Sequence, residues 1–204
     1  YFETPSNPTL QCIDIAAITD ICQRYGRFSA IDNTFSTPYL QQPFRFGIDF
    51  IIHSTTKYLN GHGNSIAGVL VGKDVEFMKT KAWQTMVLIG TNPGPLDAWL
   101  VHQGMKTLTL RMDRHCENAM TLALFLEDHN RVLKVNYTGL RSHPDHILAK
   151  AQMKDYGGML SFEVEGGYDG AVDVLRKIKF CKLAPTLGDV DTLVLHPVSS
   201  SHRN

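Results

Sequence analysis

Phe50, Ile51 and Ile52 occupy consecutive positions within Asp49–Ser54, and that unbroken apolar run constrains the fold more than any other stretch of the sequence. A strand with one wet face alternates apolar and polar residues. A run that is apolar at successive positions sends side chains to both faces and needs cover on both. Arg27–Asp32 and Ile66–Val71 read as further short strands, and Tyr1–Glu3 as the end of another. Between them, Thr4-Pro5-Ser6-Asn7-Pro8 is a turn leading into a helix. Ile13, Ala16, Ala17, Ile18 and Ile21 recur at helical spacing there, with Gly26 in the usual C-terminal position. Short apolar strands separated by helices or long loops predict an α/β sheet, in which ligands gather beyond the carboxyl ends of the strands. Asn7, Asp32 and Ser54–Lys57 all fall at or just past such ends.

From Lys73 to about Asp128 the pattern is mainly helical, interrupted by the loop Gly90–Pro95 and resumed over Leu96–Gly104 and Arg111–Glu127. Beyond Arg131 it changes to short strands, Leu133–Tyr137 and Met159–Val164, with helices near Ile147–Met153 and Ala171–Ile178. The expected organisation is residues 1–110 as part of a large domain and 111–204 as most of a smaller α+β domain, entered through the helix near Thr109–Glu127. A chain of 204 residues can bury one substantial core, or one domain plus part of another. Tyr1–Glu3 reads as a strand without its beginning and Ser199–Asn204 as a polar segment without a closing element, so an internal piece of a longer polypeptide is expected.

Lys+Arg and Asp+Glu number 20 each, and this balance gives no reason to expect nucleic acid or an anionic membrane surface as partner. The longest apolar runs, Ile48–His53 and Ile66–Val71, are too short to span a bilayer, and no signal peptide opens the sequence. Cys12, Cys22, Cys116 and Cys181 are scattered without CxxC pairing, and are expected as reduced, mostly buried thiols of a cytoplasmic protein. The histidines share no metal-ligand spacing, so no metal is expected.

Ser54-Thr55-Thr56-Lys57-Tyr58 follows the apolar strand and precedes a glycine-rich turn, Asn60–Asn64, read as a flexible connection. Taken singly, Lys57 suits a surface, Asp32 a helix cap or turn, and Ser54 and Thr56 a turn. Taken together they suit a phosphate-bearing aldehyde cofactor, pyridoxal 5'-phosphate. Lys57 would form the imine, which needs a neutral amine and hence a lysine whose pKa is lowered in its pocket. Ser54 and Thr56 would hold phosphate oxygens, and Asp32 would keep the ring nitrogen protonated so that the ring withdraws electrons from the substrate Cα. Arg111-Met112-Asp113-Arg114-His115 reads as a solvated or inter-domain helix face.

These segments resemble the cystathionine γ-synthase/γ-lyase family of pyridoxal phosphate enzymes in cysteine and methionine metabolism. The likeness is carried by Tyr1–Pro8, Asp32–Leu40, His53–His62, Gly104–Leu108, Arg111–Ala119, Leu187–Leu193 and His196-Pro197. It implies the type I pyridoxal phosphate (aspartate aminotransferase-like) fold, with a central, mostly parallel sheet and a smaller α+β C-terminal domain. It also implies a homotetramer whose active sites are shared between subunits. By the resemblance Lys57 is the Schiff-base lysine, Asp32 the pyridinium partner, Ser54 and Thr56 phosphate contacts, and Asn7 a neighbour of the phenolic oxygen. Thr186 stands where the family usually has a serine touching the substrate carboxylate. The implied reaction is carbon–sulfur lysis of a sulfur amino acid by α,γ-elimination, of the methionine or cystathionine γ-lyase type. The alternatives are γ-replacement, as in O-acetylhomoserine sulfhydrylase or cystathionine γ-synthase, and a non-catalytic scaffold. A nucleotide-binding α/β domain is disfavoured because no glycine fingerprint follows a strand.

Overall fold

The computed structural model describes residues 1–200, so most of the polar ending Ser199–Asn204 lies outside the described residues. The chain begins β1 (Phe2–Glu3), α1 (Ile15–Arg24), β2 (Ala30–Asp32), α2 (Thr37–Leu40), β3 (Phe50–Ser54) and β4 (Gly68–Gly72). These strands form one sheet in the order β1-β2-β3-β4. β1, β2 and β3 run parallel, with Ile31 opposite Phe2 and Ile51, whereas β4 pairs antiparallel with β3. The reversal follows from a connection that carries no crossover helix: the chain turns through Thr55–Ala67 and returns along β3.

One sheet face rests on α1. Ile15 joins Ile31, Ile48 and Ile51 in a core flanked by Phe2, Phe44 and Phe46. Asp14 caps α1 by accepting from Ala17 N, and Gly26 takes the left-handed backbone foreseen for it. On the other face Phe28, Phe50 and Phe77 cluster edge-on or tilted, with centroids 4.9–5.8 Å apart. The expected two-sided cover thus holds for β3. It does not hold for β4, whose Val69, Leu70 and Val71 are exposed within this chain, and Ile66 lies before the strand.

The helical middle comprises α3 (Val75–Phe77), which runs through a π turn (Met78–Ala82) into α4 (Trp83–Ile89), then α5 (Pro95–Met105) and α6 (Leu108–Glu127). The Gly90–Pro95 break falls where its turn residues placed it. Then come β5 (Val132–Asn136), α7 (His146–Gln152), β6 (Ser161–Val164), α8 (Gly167–Lys177), β7 (Lys182–Leu183) and β8 (Leu193–Val194). β5 pairs antiparallel with β6, and β7 parallel with β8. The last two strands escaped the sequence reading, being only two residues long each.

α6 is the spine of the molecule. Its first turns place Leu108, Met112 and Cys116 against Leu40, Tyr58 and Leu59; its later turns place Ala119 and Ala123 against Leu10, Tyr137 and Leu140. One helix therefore sets the sheet-edge turn around Lys57 against the C-terminal strands.

Candidate active site

The carboxyl ends of the parallel strands carry Glu3, Asp32 and Ser54 on adjacent strands. Asp32 Oδ1 accepts from Thr34 N at 2.9 Å, and Thr34 Oγ1 accepts from Ser54 N at 2.8 Å. This short relay fixes the end of β2 against the end of β3. Asp32 Oδ2 receives a bond at 3.2 Å from the hydroxyl of Tyr1, a largely exposed residue. That oxygen is open to a stronger, charged donor.

Beneath this edge lies a buried amide network invisible in the sequence. Asn33 donates from Nδ2 to the carbonyls of Thr37 and Gln41 and accepts on Oδ1 from Gln41 Nε2 at 2.8 Å. Gln41 Nε2 also donates to Thr4 O at 3.0 Å, three residues before Asn7. The turn bearing Asn7 is thereby tied to the strand end bearing Asp32. Asn7 itself is exposed, and its backbone N–H donates to Glu3 Oε1 at 3.0 Å. His53 is buried; burial pushes its pKa below the ordinary value, against the pull of the Asp32 carboxylate.

Lys57 sits in a turn closed by Lys57 N donating to Ser54 O at 3.2 Å and Gly61 N donating to Lys57 O at 2.7 Å. Its Nζ donates to Thr186 Oγ1 at 3.0 Å, across 129 positions of sequence. The side chain is half-buried, and burial pushes its pKa below the ordinary lysine value without a carboxylate to oppose the shift. An amine in such a place is more readily neutral, and so more nucleophilic, than a surface lysine. Thr56 is placed differently from its neighbours. Its hydroxyl donates to Ala67 O at 3.2 Å and accepts from Ala67 N at 3.0 Å. To donate to a phosphate it would have to give up the Ala67 carbonyl, whereas Ser54 is tied through its backbone N–H.

The segment bearing Thr186 is held against the lysine turn by close backbone approach. Gly188, at φ +80°, lies so near that an added Cβ would meet Tyr58 N at 2.5 Å and the Lys57 carbonyl carbon at 2.8 Å. Val190 N donates to Gly61 O at 3.1 Å. The ring of Tyr58 is buried against Leu40, Leu108, Met112 and Cys116, with the His115 ring edge-on at 5.2 Å.

Three sequence expectations are corrected here. Asn60–Asn64 is no loose connection at its start: Asn60 and Gly61 are buried, and Gly104 packs so tightly on Asn60 that a Cβ there would come 2.0 Å from Asn60 O. Arg111–His115 is not simply a solvated face, because Arg111 donates to the carbonyls of Tyr58 and Gly104 at 2.8 Å each. The cysteines are free, but of the four only Cys116 is buried. Among the described residues no three His, Cys, Asp or Glu side chains gather as a metal site. The donor set suits a phosphorylated pyridine aldehyde: an amine with lowered pKa, a carboxylate with an open oxygen, and hydroxyls on the intervening turn.

A family model described as Cys/Met metabolism PLP-dependent enzyme matches residues 1–204. L-Methionine gamma-lyase from Fusobacterium nucleatum subsp. nucleatum is 44% identical over 99% of this chain and 51% of its own length. Cystathionine beta-lyase from Coxiella burnetii is 43% identical over 99% of the chain and 52% of its own length. The solved structure of cystathionine gamma synthase from Xanthomonas oryzae pv. oryzae, in complex with cystathionine, superposes with a TM-score of 0.95 at 40% identity. It covers 98% of this chain and 52% of the solved one. The chain thus spans about half the length of the relatives it matches.

Proposed function

The chain belongs to the Cys/Met metabolism family of PLP-dependent enzymes, with the fold of its cystathionine-metabolising members, and from that membership we propose a carbon–sulfur lyase acting on a sulfur amino acid by α,γ-elimination. The observation that carries the proposal is the Lys57 amine, depressed in pKa by burial and hydrogen-bonded to Thr186 from the far end of the chain. When bound, pyridoxal phosphate supplies an aldehyde carbon for amines and an electron-withdrawing ring. Lys57 would anchor the group and, once free, would take the proton from the substrate Cα, hand it on, and then take one from Cβ, which it would return to the departing γ-sulfur so that the thiol leaves neutral. Asp32 would hold positive charge at the ring nitrogen, its Oδ2 exchanging the Tyr1 hydroxyl for that charged donor. Ser54 receives phosphate oxygens; Thr56 does so after releasing Ala67 O. Asn7 would stand by the phenolic oxygen, and Thr186, which accepts from Lys57 Nζ, would offer its hydroxyl to the substrate carboxylate.

A replacement reading is supported by the likeness to a cystathionine gamma synthase. The two readings differ in what a single substrate yields. A lyase releases thiol, ammonia and an oxo acid from methionine or cystathionine alone; a γ-replacement enzyme consumes an activated homoserine ester only when a sulfur nucleophile is added.

The proposal extends to the assembly and its setting. Residues 1–110 belong to the large cofactor domain and 111–204 to the C-terminal domain. A homotetramer with shared sites is supported by the exposed apolar residues of β4, α4 and α5, among them Leu70, Leu88 and Trp99. A cytoplasmic location is supported by the free cysteines. No described helix is long and apolar enough to cross a membrane.

The test is borohydride reduction of the full-length protein loaded with pyridoxal phosphate, followed by peptide mapping. A pyridoxyl group on Lys57 is the expected result. Folded protein with Lys57 unmodified would leave the scaffold reading in its place.

A further inference from the structure

Arg111 lies in the first turn of α6, outside the residues assigned above to cofactor or substrate, yet each of its three guanidinium nitrogens donates to the lysine turn or its supports. Nη1 donates to Tyr58 O at 2.8 Å, Nη2 to Gly104 O at 2.8 Å and Nε to Thr107 Oγ1 at 3.1 Å. The Tyr58 carbonyl is the one immediately after Lys57. Gly61, at φ +71°, rests on the guanidinium so closely that an added Cβ would come 2.1 Å from Nη1. From the segment that follows Thr186, Gly188 presses on the Lys57–Tyr58 peptide of the same turn, and Val190 N bonds Gly61 O. Asp189, between them, attracts the Arg111 charge and sits where a Cβ on Gly63 would come 2.4 Å from its Oδ2.

The lysine turn is therefore clamped between two elements far apart in sequence, α6 and the segment carrying Thr186. A planar fork with fixed donors sets the position of two carbonyls at once, which an ammonium on a flexible stem does not. The geometry points to Arg111 as a positioning residue that holds the Lys57 amine in register with Thr186, acting through the Tyr58 carbonyl and Gly61 rather than by touching cofactor or substrate. This inference rests on the reading of Lys57 as the cofactor-binding lysine.

The experiment uses full-length wild-type protein, Arg111→Lys and Thr107→Val, the last removing the Nε anchor together with the Thr107 hydroxyl's own bond to Gly104 O. Borohydride mapping of the wild type comes first, because no adduct on Lys57 there defeats the functional reading itself. With the wild-type adduct in hand, two readouts follow. One is the pH midpoint of the lysine-bound cofactor absorbance. The other is the alkylation rate of Lys57 in the cofactor-free protein. Displacing a reacting group by even ~1 Å costs on the order of a hundredfold in turnover. Arg111→Lys is thus expected to lower kcat at least tenfold with little change in KM, and to move the absorbance midpoint and the Lys57 alkylation rate. Thr107→Val should move all of them the same way by less, and serves alone should Arg111→Lys not fold. Variants that lose thermal stability while midpoint, alkylation rate and kcat match wild type would show Arg111 to be a fold brace only, and would overturn the inference.

Discussion

Replacing Gly188 by alanine should loosen the bond between the Lys57 turn and the segment bearing Thr186, and its size can be worked out. Gly188 has φ +80°, and its new Cβ would meet Tyr58 N at 2.5 Å, Lys57 C at 2.8 Å and Tyr58 Cγ at 3.1 Å. The first two are backbone atoms and cannot rotate away. A residue with a Cβ in the left-handed region costs about 1 kcal/mol, and overpacking at a filled site adds about 1–3 kcal/mol. Gly90 supplies the control: its φ is +75° but an added Cβ meets nothing within 4 Å. Gly90→Ala should therefore show the backbone cost alone. Urea unfolding of the cofactor-free protein should place Gly188→Ala about 1–3 kcal/mol below Gly90→Ala. Should the segment instead peel off to avoid the clash, the stability loss shrinks but the Lys57–Thr186 hydrogen bond breaks, and the alkylation rate of Lys57 changes. Equal stability for the two variants together with an unchanged Lys57 rate would refute the close approach itself.

Lys57→Met should abolish the borohydride adduct while leaving the cofactor-free protein as stable as wild type or more so, since burial disfavours the charged amine. Any stability gain should shrink as pH rises from the lowered folded value towards 10.5, where the unfolded lysine also loses its proton; a clear loss of stability at pH 7 would mark Lys57 as structural instead. His53, His115 and His143 all have pKa values lowered first by burial, so below 6.5 the unfolded chain binds protons that the folded chain refuses. Unfolding free energy should be full above that pH and fall as the pH drops below it towards the lowered folded values, less steeply in His53→Asn; a flat wild-type profile would contradict the burial. Burial pushes the Cys116 thiol up to about 12 and that of Cys12 up to about 11, so iodoacetamide at pH 8 should label Cys22 and Cys181 first, and early labelling of Cys116 would count against its place beneath Tyr58.

Much of the fold was legible because its signals are local. The apolar run Phe50–Ile52 needs cover on both faces, and the Ile13–Ile21 spacing with Gly26 after it can only sit as a helix with a left-handed end. The antiparallel return of β4 was not legible, since Ile66–Val71 is as apolar as a buried parallel strand and direction is set by the connection, not by the side chains. β7 and β8 were missed for a different reason. Two residues cannot display a period, and their pairing joins Lys182 to Leu193 across a loop whose composition signals only turns.

The site divides along the same line. Asp32, Ser54 and Lys57 are close in sequence to strand ends, and strand ends are where an α/β sheet assembles its chemistry, so their placement follows from topology. Thr186 reaches Lys57 only because Gly188 lets two backbones touch, and Arg111 reaches Tyr58 O only because Gly61 leaves room for a guanidinium. Nothing in the sequence marks which of the chain's glycines face open space and which face another backbone. Gly90 and Gly188 have nearly the same φ and opposite surroundings. What separates a turn from a clamp is the neighbour brought in from elsewhere in the chain, and in this protein the neighbour of the lysine turn is supplied twice over, by α6 and by the Thr186 segment. The reactivity of Lys57 is thus a property of three segments held together, and Gly61, Arg111 and Gly188 govern it as directly as the residues next to it in sequence.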